Sequence, residues 1–243
     1  LGVLRLDGSG NILWQKTYGR GGVCDIAVAS DGGFFFLGAK DIMGELTPDI
    51  VLLRLDTNGN VIWQKFYGDY GSKFDYPISM LPTPDGGVVV AGITNYSYPW
   101  GSGPADALVL RLDANGNIVW QKTYGGISDD IACSIVPTSD GGFAIAGTTL
   151  SFGAGSDDIW VARTDANGDI DPSCGFVHTS AAIVTALDII ATDTNMTVLD
   201  TTVVGVTSNA TVLSSSVVPQ LICSGPLELQ VTIDIKPGSD PNS

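Results

Sequence analysis

Four oxygen-bearing side chains, Asp165, Asn167, Asp169 and Asp171, stand at alternate positions in DANGDID. Oxygen ligands at that spacing can wrap a hard divalent cation, so these are the candidate calcium ligands. The glutamate that closes a calcium-binding loop is missing, and related Asp-x-Asn-Gly-Asn segments recur in the chain. A hairpin turn with solvated acids is therefore the competing reading. The single histidine, His178, has no Ser or Cys nucleophile motif beside it and reads as a surface residue. Two acid pairs, Asp129-Asp130 and Asp157-Asp158, raise the question of glycoside hydrolysis. Neighbours on a strand point to opposite faces, which favours acids at strand entries over a converging pair. Tyr96, Tyr98 and Trp100 alternate in a Gly- and Pro-rich loop and are the candidate ligand-binding residues. Exposed, they could stack on sugars or a partner protein; the alternative is a loop that folds them inward. No catalytic residue is assigned, and calcium is the one cofactor these residue types suggest.

Three sequons, at Asn95, Asn195 and Asn209, are candidate glycosylation sites and imply surface positions in a secreted, glycosylated protein. Cys174 and Cys223 bracket a non-repetitive segment and could form a disulfide. Cys24 and Cys133 each lie seven residues before an Asp-Gly-Gly turn. Equivalent positions in separate repeats do not meet, so buried free thiols are expected there.

Those side chains sit on a repeated frame. LRLDGSGNILWQKTYG (Leu4 to Gly19), LRLDTNGNVIWQKFYG (Leu53 to Gly68) and LRLDANGNIVWQKTYG (Leu110 to Gly125) are three copies of one stretch. A fourth, ARTDANGDIDPSC, has Pro172 where the tryptophan would be. Proline cannot donate to a strand ladder, so the regular array is expected to stop there. Asn58-Gly59 and Asn115-Gly116 suit the centre of a two-residue type I′ turn. That register would set Ala114 opposite Asn117, Asp113 opposite Ile118 and Arg111 opposite Trp120, with the guanidinium on the indole face. Arg54–Trp63 and Arg5–Trp14 follow by the same count. Trp120, Lys122 and Tyr124 alternate onto one face, the lysine stem between the rings and its charge in water.

Between copies run an apolar strand, an Asp-Gly-Gly turn (Asp31, Asp85, Asp140) and a second apolar strand. The turns are read as structural. Four short strands in about 50 residues is the period of a propeller blade, with length changes confined to one connection. No sustained 3.6-residue pattern supports a helical solenoid. The expected fold is all-β: a β-propeller-type array with three complete blades, a split or partial fourth, and a β-rich tail. The domain boundaries are 1–175 for the repeats and 176–243 for the tail, with 236–243 linker-like. The tail is rich in Val, Ile and Thr and reads as strands. It is expected either to complete the blade begun by residues 1–19 or to pair with a neighbouring molecule.

With 243 residues, a net charge of −15 and only 11 Lys plus Arg, the chain should repel nucleic acid and anionic membranes. No apolar stretch of about 20 residues offers a helical membrane span. Leu1 stands in mid-pattern, so a processed or incomplete product is expected.

LDxNGNxxWQKxYG and TSDGGFxIAG together resemble the propeller-type repeats of large secreted proteins in bacteria and archaea, over residues 1 to about 170. The resemblance implies a surface or extracellular protein with no assigned chemistry. VTIDIKPGSDPNS is similar to a junction in secreted multi-domain proteins, where more β structure usually follows. LRLDTNGNVIW also resembles the tryptophan-docking repeat of quinoprotein dehydrogenases, but their cofactor-cradling residues have no counterpart here.

The leading expectation is a secreted, non-enzymatic structural protein of the cell surface, a filament or surface-layer subunit that forms a homopolymer by strand exchange. The alternatives are an adhesin or lectin-like propeller that holds glycans, then a polysaccharide-active or quinoprotein-like enzyme.

Overall fold

Apolar alternation and glycine turns dictate strands joined by tight hairpins. A computed structural model describes residues 2–18, 21–40, 49–68, 74–96, 104–153, 156–170, 177–179, 183–186 and 191–193. Those residues form strands and turns, with no helix among them. In the first sheet, β1 (Gly2–Leu6) pairs with β2 (Ile12–Tyr18). The second holds β3 (Gly22–Val28), β4 (Phe34–Lys40), β5 (Asp49–Leu55) and β6 (Val61–Gly68), paired antiparallel in chain order. The third repeats that order with β7 (Phe74–Pro82), β8 (Val88–Tyr96), β9 (Asp106–Leu112) and β10 (Ile118–Tyr124). The fourth has β11 (Asp130–Pro137), β12 (Phe143–Thr149) and β13 (Asp158–Thr164). Residues 171–176, which follow the turn after β13, lie outside the described residues.

The apolar core is divided between neighbouring sheets. Tyr18 and Val3 of the first sheet pack with Phe36, Val51 and Leu55 of the second. Phe35, Leu52 and Tyr67 meet Val90, Leu110 and Leu112 of the third. Val109 and Tyr124 meet Ile145, Phe143 and Trp160 of the fourth. Each sheet therefore buries residues on both faces only when it has a neighbour on each side. This explains why the third strand of a repeat is apolar at nearly every position and does not alternate.

The tail runs back along the array. β14 (Val177–Thr179) adds to β10, β15 (Ile183–Ala186) to β6, and β16 (Ala191–Asp193) to β2, all antiparallel. β16 joins the sheet begun by residues 1–19, which then has three strands. Two further short strands extend sheets that already have four.

The hairpin turn differs from the expected one. Gly59 N–H donates to the Asp56 carbonyl at 3.1 Å, and Asp56 N–H to the Asn60 carbonyl at 2.9 Å. The loop is thus Thr57-Asn58-Gly59, three residues with Gly59 at φ +74°. Asp113 accordingly pairs with Asn117, not Ile118, and Leu112 faces Ile118. The Asp side chain selects this loop, because Asp56 Oδ1 accepts from the Asn58 and Asn60 amides, both at 2.8 Å. A bulge one residue later restores the register, so Arg54 does face Trp63 and Arg111 does face Trp120.

Bulges also decide the lone cysteines. Cys24 and Cys133 are the unpaired residues between Val23 and Asp25 and between Ala132 and Ser134. Cys133 is exposed and Cys24 half-buried, which corrects the expectation of two buried thiols. A bulged residue leaves the alternation that would have turned it inward.

Candidate functional site: the clasp between sheets

Trp, Lys and Tyr of each outer strand share one face, as their spacing requires, and that face grips the Asp-x-Asn-Gly-Asn turn of the next sheet. Trp63 Nε1 donates to the Ala114 carbonyl at 2.9 Å, and Tyr67 Oη to the Gly116 carbonyl at 2.8 Å. Between them Lys65 Nζ donates to Asn117 Oδ1 at 2.8 Å. The clasp is built identically one sheet earlier, where Trp14, Tyr18 and Lys16 bind Thr57 O, Gly59 O and Asn60 Oδ1 at 3.0, 2.7 and 2.8 Å. One sheet later Trp120 and Tyr124 bind Ala166 O and Gly168 O at 3.2 and 2.7 Å, while Lys122 pairs with Asp169. The lysine stem does run beside the indole, with Nζ 5.9 Å from the ring centre in Lys65 and Lys122. Its charge, expected in water, instead binds the neighbouring turn.

Glycine is required at the turn on two counts. Gly116 has φ +71°, and a β-carbon there would lie 2.9 Å from both the Trp63 ring and the Tyr67 hydroxyl. The tyrosines are fully buried, and burial pushes the Tyr67 and Tyr124 hydroxyls well above the usual phenol range. They therefore stay neutral donors. Each such bond contributes about 1 kcal/mol net.

Arginine does different work from that expected. Arg54 Nη2 pairs with Asp31 at 2.6 Å, Nη1 donates to its neighbour Leu55 O at 2.6 Å, and the guanidinium lies 4.8 Å from the Phe35 ring centre. Arg5 similarly lies over Phe34. The indole is already turned to the next sheet, so Phe of β4 takes the cation in its place. Arg111–Asp85 and Arg163–Asp140 repeat the ion pair. The Arg54 guanidinium, with the Gly33 amide, holds the Asp31 carboxyl below the usual range. Hydrogen bonds from the Thr83 and Thr138 hydroxyls do the same for Asp85 and Asp140, with the arginines adding to them. The Asp-Gly-Gly turns are therefore structural, as read, and pinned by an arginine that sequence reasoning aimed elsewhere. The available signal was that Arg recurs 23 to 26 residues after each such Asp.

Of the candidate calcium ligands, Asp165 accepts from the Asn167 and Asp169 amides at 2.8 and 2.9 Å, and Asp169 pairs with Lys122. Asp171 lies outside the described residues, and among the described residues no three His, Cys, Asp or Glu side chains group for a metal. Asp130 accepts from Gly126 N–H at 2.8 Å and Ser151 Oγ at 2.6 Å, and Asp129 from Ala105 N–H at 2.9 Å. The two acids thus bind different loops. Asn95 and Tyr96 end β8, and His178 is in register with Thr123. Tyr98, Trp100, Cys174, Asn195, Asn209 and Cys223 fall outside the described residues. Among the described residues no helix is long and apolar enough to cross a membrane.

Residues 83–118, from the turn before β8 to the start of β10, match a beta-propeller domain of unknown function, DUF5122. Among curated proteins nothing matches the chain. The matched stretch holds one Asp-Gly-Gly turn and one Asp-x-Asn-Gly-Asn turn, the two devices repeated through the structure. The chain is a β-propeller-type repeat protein.

Proposed function

We propose that this is a secreted, non-enzymatic structural protein of the cell surface that assembles with copies of itself by strand exchange. One observation carries the reading: residues 177–179, 183–186 and 191–193 lie as three short strands on the outer edges of β10, β6 and β2. An outer edge that accepts a strand in its own molecule offers the same ladder to a strand from a neighbour. Segments this short are individually weak and can be traded between copies at low cost. The non-enzymatic part rests on the polar side chains of the repeat, which are engaged in clasps and turn anchors. Light scattering over a wide concentration range, with electron microscopy of the concentrated protein, tests the assembly. Multimers that disappear when the chain is ended at residue 176 are expected. A monomer at the highest attainable concentration would overturn it.

A binding module is the second reading, favoured by a surface hollow of about 460 Å³ lined by Pro104, Ile127, Ser128, Asp129 and Leu150. Ile127, one of its lining residues, is exposed and presents an apolar side chain to a ligand. Binding on a glycan array that is lost with Ile127→Asp would favour this reading over assembly.

A further inference from the structure

Three of the four Asp-x-x-Gly turns are gripped by a Trp-x-Lys-x-Tyr strand, and the fourth, Asp7 to Asn11, is not gripped by any described residue. Its internal geometry is nonetheless that of the others. Asp7 N–H donates to Asn11 O at 2.9 Å and Gly10 N–H to Asp7 O at 3.0 Å. Asp7 Oδ1 accepts from the Ser9 and Asn11 amides, both at 2.9 Å, and Gly10 has φ +83°. A β-carbon on Gly59, Gly116 or Gly168 would meet a tryptophan ring and a tyrosine hydroxyl within about 3 Å, whereas one on Gly10 meets nothing within 4 Å. A second, independent difference lies beside it. Leu55 and Leu112, which precede the gripped turns, are fully buried, while the equivalent Leu6 is 45% exposed. Leu55 shares its core with Tyr18 and Trp14, and Leu112 shares its core with Tyr67 and Trp63. Leu6 has the apolar side chain for such a core, and among the described residues no aromatic side chain shares a core cluster with it.

We propose that the Asp7–Asn11 turn is a docking socket for the outer strand of a further repeat of the same type, presenting Trp-x-Lys-x-Tyr. The three such strands of these 243 residues already hold the turns at 56–60, 113–117 and 165–169, so the occupant comes from another repeat. By equivalence with the gripped turns, its indole N–H donates to the Gly8 carbonyl, its phenol to the Gly10 carbonyl and its ammonium to Asn11 Oδ1. Its rings cover Leu6. The socket serves joining of repeats through their clasps, and goes beyond strand exchange at the outer edges. Either can fail without the other.

The test is an NMR titration of the whole ¹⁵N-labelled chain with a synthetic peptide of residues 118–125, IVWQKTYG. The expected result is that the amide signals of Gly8 to Asn11 and of Leu6 shift with peptide concentration. A peptide carrying Trp120→Ala should bind at least about tenfold more weakly and one carrying Tyr124→Phe about fivefold more weakly, the scale of one lost hydrogen bond and its packing. Both substitutions are in the peptide, so folding of the protein is not in question. Unmoved signals at millimolar peptide, equal shifts with the Trp120→Ala peptide, or shifts confined to the β13 edge would each overturn the proposal.

Discussion

The third strands of the second and fourth sheets, β5 and β13, carry the same pattern and meet different surroundings. In DIVLLRL every residue of β5 is buried, Ile50 and Leu52 at 1% and 0% exposure. In DIWVART the equivalent Ile159 and Val161 are 85% and 44% exposed, while Trp160 and Ala162 on the other face are buried. The second sheet lies between the first and the third, whereas among the described residues the fourth is covered on one face only. Hydrophobicity in this chain thus marks what a strand is made to bury, and the neighbouring sheet determines whether it does. The same contrast separates β7, where Tyr76 alone is exposed, from β3, whose Val23, Ile26 and Val28 are exposed beside a first sheet of few strands.

Paired truncations should break this contrast most sharply. Leu52→Ala should cost about 2–5 kcal/mol in chemical denaturation, the range for a buried leucine, because packed sheets on both sides cannot close the cavity. Val161→Ala should cost less than about 1 kcal/mol. Equal losses would mean that the exposed face of β13 is covered in solution.

A smaller effect sharpens the role of the clasp. Gly116→Ala combines a left-handed backbone with a collision against Trp63 and Tyr67, and should cost more than about 2 kcal/mol. Gly10→Ala has the same backbone strain and open space, so about 1 kcal/mol is expected. The difference between their thermal midpoints measures the docking contact apart from strain.

The smallest effect is on pH. Asp31, Asp85 and Asp140 have folded pKa values below their unfolded ones, so their stabilising contribution is complete above the unfolded value of about 4. It is lost as pH falls through the lower, folded values. The chain should lose stability progressively below about pH 4, and Asp31→Asn should flatten that dependence slightly, as followed by urea midpoints from pH 5 to pH 2. The carboxylates are largely solvent-facing, so screening keeps each contribution modest.

The repeat, the positions of its strands and turns, and the shared face of Trp, Lys and Tyr were legible in the chain, because each depends on local periodicity and on glycine at a turn. So was the Arg111–Trp120 register, though it arises from a three-residue loop corrected by a bulge and not from the two-residue loop expected. The partners of those side chains were not legible. A tryptophan that faces an arginine across a hairpin can lie on it or turn to the next sheet. Only the neighbour, supplying two carbonyls and an asparagine at the correct distance, selects the second. Direction of travel was equally hidden in the tail: Val- and Thr-rich steps specify strands, but which edge each one joins depends on edges some 55 to 175 residues earlier. Local sequence sets what a segment can bond with; long-range packing sets which candidate is within reach.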